Sequence, residues 1–204
     1  MRLPQIAVLA SLLLFPFVAG AATGPMATLK QKNSEVDRLL RQKVTAGSAE
    51  EKKQKADIKT LAGGLLDYDE LAHRSLAANW DKLTGAQRSE FVATLREIIE
   101  RNYVRQLRTN MDYQVVYKGE EVAGAEATVI TVVKVKTTGK ATDAEIVYKM
   151  KQAGTSPWLV YDVITDEVSL VRNYKAQFGK AINERGYDDL IKKMKAKLVE
   201  PAQN

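Results

Sequence analysis

The spacing of apolar residues changes twice along this chain, and those changes restrict the fold more than any other property. Up to about residue 108 apolar side chains recur at helical spacing. Over residues 113–165 strand-like patterns replace it, alternating at every second position around 113–118 and 144–151, and helical spacing returns from Val168. A segment with one period does not settle into the other element, so the chain reads as helices, then a run of strands, then helices. Grouped rather than alternating elements imply α+β architecture. The expectation is a four-stranded antiparallel curved sheet packed against several helices in a single domain.

The helical readings are specific. Leu29, Val36, Leu39, Leu40 and Val44 share one side of a helix over 29–44, and a second helix over 50–61 is closed by Gly63 and Gly64. Leu66, Leu71, Leu76 and Trp80 suggest a third. The best-marked helix covers 84–108. Thr84 and Gln87 form a capping box, after which Phe91, Leu95, Ile98, Ile99, Asn102 and Leu107 trace one face. At ~1.5 Å per residue it is roughly 36 Å long, enough to wall a sheet. Near the end, Val168, Val171, Tyr174, Phe178 and Ile182 predict a helix stopped at Gly186. Leu190, Ile191, Met194 and Leu198 predict a last one before Pro201.

In the middle, Tyr113, Val115 and Tyr117 alternate with polar residues, as do Ala144, Ile146, Tyr148 and Met150. Turn residues at 119–124, 137–142 and 154–157 separate the strands as hairpins do. The strand over 127–135 has Val129 and Val133 on one parity and Ile130 and Val132 on the other. Two readings fit it: a central strand covered on both faces, or one face on the core and the other lining a ligand cavity.

The front of the chain reads as an export signal. Arg2 precedes an apolar run over 6–18 and then Ala19, Gly20, Ala21 and Ala22, so 1–22 is expected to be a cleaved signal peptide and 23–204 the mature domain. Pro4 and Pro16 bracket a run too short to cross a bilayer. There is no cysteine, which removes a lipid-anchored cysteine, disulfides and thiolate chemistry. The net charge of +6 is a mild excess with acids interspersed, which argues against a nucleic-acid partner. Lys192, Lys193, Lys195 and Lys197 read as a solvated helix face, with membrane headgroups as the alternative contact.

Little chemistry is available for catalysis. His73 is the one histidine, without ligand spacing around it for zinc, and any Ser-His-Asp arrangement would depend on it. Asp162 lies inside an apolar strand and reads as a hydrogen-bonded strand-end carboxylate rather than an acid-base group. Asp166 and Glu167 read as charges that favour the start of the following helix. No catalytic and no metal-binding residues are expected.

The most specific pattern is the segment 161–178, YDVITDEVSLVRNYKAQF, with Tyr161-Asp162-Val163, then Val168-Ser169-Leu170, then Phe178. Trp80, Thr84, Gln87, Arg88, Phe91 and Tyr103 add a helix-pair pattern, and Gly186 followed by Leu190 a closing helix. Together they resemble the MlaC (toluene-tolerance) family of periplasmic phospholipid carriers over nearly all of 23–204. Ala77 and Glu167 depart from the family by standing where relatives usually carry glycine, and Lys175 where arginine is frequent.

The resemblance implies a soluble, monomeric carrier in the periplasm, with phospholipid as cargo and no cofactor. It would shuttle lipid between an outer-membrane lipoprotein/porin complex and an inner-membrane ABC transporter complex that maintains outer-membrane lipid asymmetry, touching membrane surfaces only briefly. Its apolar pocket would lie between sheet and helices. The expected lining is Val115, Tyr117, Val129, Val133, Ile146, Tyr148 and Met150 from strands, with Leu95, Ile98, Val171, Tyr174 and Phe178 from helices. Two other classes fit the residues: a small-molecule enzyme of cone-shaped α+β fold using His73 and Asp162, and a periplasmic chaperone or adaptor.

Overall fold

The computed structural model of the protein describes residues 24–109, 113–135 and 142–199; the expected signal peptide at 1–22 lies outside them. The elements are α1 (Pro25–Leu40), α2 (Ala49–Gly63), α3 (Tyr68–Leu76), a 3-10 turn (Ala77–Lys82), α4 (Gly85–Thr109), β1 (Tyr113–Ala123), β2 (Glu126–Val135), β3 (Thr142–Lys151), β4 (Leu159–Thr165), β5 (Val168–Ser169) and α5 (Leu170–Val199).

Local chemistry explains the helix starts. Pro25 opens α1, where a missing N–H costs nothing. The Ser48 hydroxyl accepts from the Glu51 amide at α2, and the Asp67 carboxylate from the Glu70 amide at α3. At α4 the capping box closes reciprocally: the Thr84 amide donates to the Gln87 side chain at 3.0 Å, and the Gln87 amide to the Thr84 hydroxyl at 3.2 Å. α2 ends against α4, where a Cβ on Gly63 would lie 2.6 Å from a carboxylate oxygen of Glu100. That carboxylate is buried and receives Arg96 Nε at 2.7 Å and the Tyr68 hydroxyl at 3.3 Å, with Lys59 Nζ at 3.2 Å. It thereby ties α2, α3 and α4 together.

The sheet is antiparallel throughout, in the order β1-β2-β3-β4-β5. It therefore has five strands rather than the expected four. The fifth was illegible because it is only Val168–Ser169, returning from β4 through a tight turn. Asp166 and Glu167 form that turn at φ 48° and 66° rather than sitting in the first turn of α5, which begins at Leu170, two residues later than expected. Bulges at Tyr117/Gly119 in β1 and at the β3–β4 pairing interrupt the register and add local twist.

The Tyr-Asp-Val…Val-Ser-Leu pattern now has a physical account. Asp162 accepts from the Ser169 hydroxyl at 2.6 Å and from the Val171 amide at 3.0 Å, while the Ser169 oxygen accepts from the Arg172 amide at 3.0 Å. A strand carboxylate and a capping serine thus fix where α5 leaves the sheet. Helical spacing then runs to Val199 with a single break at Gly186 (φ 82°, ψ 172°), so the two expected closing helices are halves of one broken element.

Both positions where the resemblance expects glycine have positive φ. Ala77 ends α3 at φ 48°, ψ −128°, a conformation glycine adopts freely and a Cβ resists. Ala77→Gly is expected to stabilise the fold by about 1–2 kcal/mol, and Glu167→Gly by somewhat less, read as higher urea midpoints. An unchanged or lower midpoint for Ala77→Gly would show that the backbone there relaxes at no cost.

Among the described residues the buried apolar side chains fall into three groups. One packed group joins α3, α4 and α5 through Leu71, Leu76, Phe91, Leu95, Phe178, Leu190, Ile191 and Met194. A second joins α1 to the sheet through Leu29, Val129, Met150, Trp158 and Val160, and a third joins α1 to α2 through Val36, Leu39, Leu40 and Ile58.

Candidate functional site between the sheet and the helices

The register settles which residues share a face. Val115 pairs with Val133, Tyr117 with Thr131, Thr131 with Ile146, Val129 with Tyr148 and Ala127 with Met150. All seven strand residues expected at the pocket therefore point to one side of the sheet. α1 lies along that side, with the Asn33 amide donating to the Tyr117 hydroxyl at 2.7 Å.

This face has two different halves. Val129 and Met150 are fully buried in the packed group with Leu29 and Val160. Val115, Tyr117, Val133, Ile146 and Tyr148 keep accessible surface although they point inward. Burial nevertheless pushes the Tyr148 phenol up to about 12, and raises that of Tyr103 on α4, which lies close enough to feel Tyr148 and Tyr113. Phenols with both residual accessible area and strong desolvation stand at the edge of the packed interior rather than in open water.

A cleft of about 170 Å³ opens on the helical side. It is lined by Leu95, Ile98 and Asn102 of α4 and by Tyr174, Gln177, Phe178, Met194 and Lys197 of α5. Four expected helical residues, Leu95, Ile98, Tyr174 and Phe178, thus meet in one place. The fifth, Val171, is buried in the helical group instead. Tyr174 stacks on Phe178 at 5.0 Å, and Phe178 meets Phe91 edge-on at 5.3 Å, which fixes the inner wall. Both halves of α5 contribute, because the break at Gly186 lets the second half turn back along α4. Asn102, Gln177 and Lys197 were not among the expected lining residues, although Asn102 shares the helix face of Leu95 and Ile98 and Lys197 is one of the lysines with headgroups as the alternative contact; Gln177 carried no signal that separates a cleft rim from ordinary surface.

The candidate catalytic groups are dispersed. His73 is exposed, with its ring edge-on to Trp80 at 5.5 Å, while both oxygens of Asp162 are engaged in holding α5. Among the described residues no cluster of His, Asp and Glu could hold a metal ion, and no helix is long and apolar enough to cross a membrane.

Residues 30–196 match the family of the MlaC protein. The chain belongs to the MlaC family. Among MlaC relatives, the "intermembrane phospholipid transport system binding protein MlaC" of Haemophilus influenzae is 23% identical over 186 residues, covering 89% of this chain and 85% of that protein. A solved structure of a phospholipid-binding protein from Ralstonia solanacearum, in complex with a phospholipid, superposes with a TM-score of 0.70 at 19% identity. It covers 85% of this chain and 98% of the other, so the shared fold extends over most of this chain and nearly all of its neighbour.

Proposed function

We propose that this protein is a soluble periplasmic phospholipid carrier. It moves lipid between outer-membrane and inner-membrane components of an ABC transport system that maintains outer-membrane lipid asymmetry. The observation that carries this reading is the row of inward-facing Val115, Val133, Ile146 and Tyr148, which keep accessible surface in an MlaC fold whose structural neighbour was solved with a phospholipid.

The energetics favour such a device. About 28 methylenes on two acyl chains, at ~0.8 kcal/mol each, face a penalty of roughly 20 kcal/mol in water. A dry hollow removes that penalty during transit, and one that only matches the bilayer still releases its cargo. Val115, Tyr117, Val133, Ile146 and Tyr148 are its sheet wall in this reading, with Leu95, Ile98, Tyr174 and Phe178 opposite. Carriage rather than catalysis fits the dispersal of His73 and Asp162.

Gently purified protein is expected to carry phospholipid, seen by native mass spectrometry and identified after extraction. A clean apo mass would overturn the reading. Ile98→Trp, which adds bulk in the cleft, lowers retained lipid several-fold while leaving the circular dichroism spectrum unchanged.

A further inference from the structure

The α4/α5 cleft is segregated by polarity. Leu95, Phe178 and Met194 are buried at its base, Ile98 and Tyr174 are half-buried, and Asn102, Gln177 and Lys197 are exposed at its rim. The geometry points to Lys197, with the side-chain amides of Asn102 and Gln177, as a polar mouth that engages the phosphate of the bound lipid. This inference rests on the carrier reading and adds a named contact to it.

Three observations select an anionic amphiphile as the occupant. First, about 170 Å³ is below the roughly 300–1,000 Å³ of a site that encloses a whole small ligand, so the cleft holds one end of a longer molecule. Second, Lys197, like Lys192 but unlike Lys193 and Lys195, which bind Asp189 and Glu90, forms no ion pair among the described residues, and of the two unpaired lysines only Lys197 lines the cleft. Its ammonium is available to an anion at the rim. Third, the last carbonyls of a helix repel an anion, and here Arg101 covers them, its Nη1 donating to the carbonyls of Lys197 at 3.1 Å and Leu198 at 2.8 Å. The repulsive end of α5 is thereby neutralised beside the mouth.

The test loads wild-type protein, Lys197→Glu, Lys197→Gln and the control Lys192→Glu from phosphatidylglycerol vesicles, and counts lipid per protein by mass spectrometry. Lys192 is exposed on the same helix but does not line the cleft. Thermal denaturation checks that all four proteins are folded. Lys197→Glu is expected to lower loading about fivefold, Lys197→Gln by less, and Lys192→Glu hardly at all. Equal losses for both charge reversals would assign the effect to general charge attraction and overturn the proposal, as would full loading of Lys197→Glu. Wild-type protein that takes up no lipid would overturn the carrier reading, and this contact with it.

Discussion

Asp162→Ala is expected to cost about 3 kcal/mol and to lower the melting temperature by roughly 6–12 °C. The carboxylate is 8% exposed and serves two donors at once, the Ser169 hydroxyl and the Val171 amide. Removing it leaves a buried backbone N–H without an acceptor and frees the serine that caps Arg172. Asp162→Asn retains one acceptor oxygen, so it is expected to cost about half as much. Urea denaturation of both variants checks the ordering. Equal losses for Ala and Asn would assign the effect to charge, and a loss below about 1 kcal/mol for Ala would show that α5 is placed by packing alone.

The second large effect is alkaline. All eight tyrosines have phenols raised above the ordinary value of 10.0, and burial is the leading cause at each. Below pH 10 folded and unfolded chains both keep these protons, so the phenols leave stability unchanged. Above it the unfolded chain loses them first, and stability falls as pH rises toward the folded values, about 12 for Tyr148 and Tyr187. One buried phenol contributes a loss of up to about 2 kcal/mol across that window, and several act together. Tyrosinate absorbance is expected to rise together with the loss of helical dichroism in one cooperative transition between pH about 10 and about 12. Phenols that titrate at their ordinary value in a chain that stays folded would contradict this account.

How much of this was legible in the residues varies by element. The capping box at Thr84 and Gln87 and the parity of Tyr113, Val115 and Tyr117 state their structure directly, because a cap and a period-two pattern are local. β5 is not local in that sense. A two-residue strand has no period, and Asp166-Glu167 is an unusual pair for positive φ, so nothing marked the turn. Pro25 marks the start of α1, yet the apolar face begins only at Leu29, which placed the expected start four residues late. At the site, the shared face of the strand residues followed from alternation. The difference between solidly packed Val129 and half-exposed Val133 did not, since both are the same residue at the same parity. Packing on α1 separates them, and that is a tertiary property.

Among the described residues no strand pairs with the outer side of β1, and its bulge at Tyr117/Gly119 sets Lys118 at an exposed position. A long flat border would invite other copies to add strands and grow fibrils; an interrupted register with a lysine beside it discourages that growth. The same irregularity that twists β1 thus works against a second copy extending the sheet by backbone pairing.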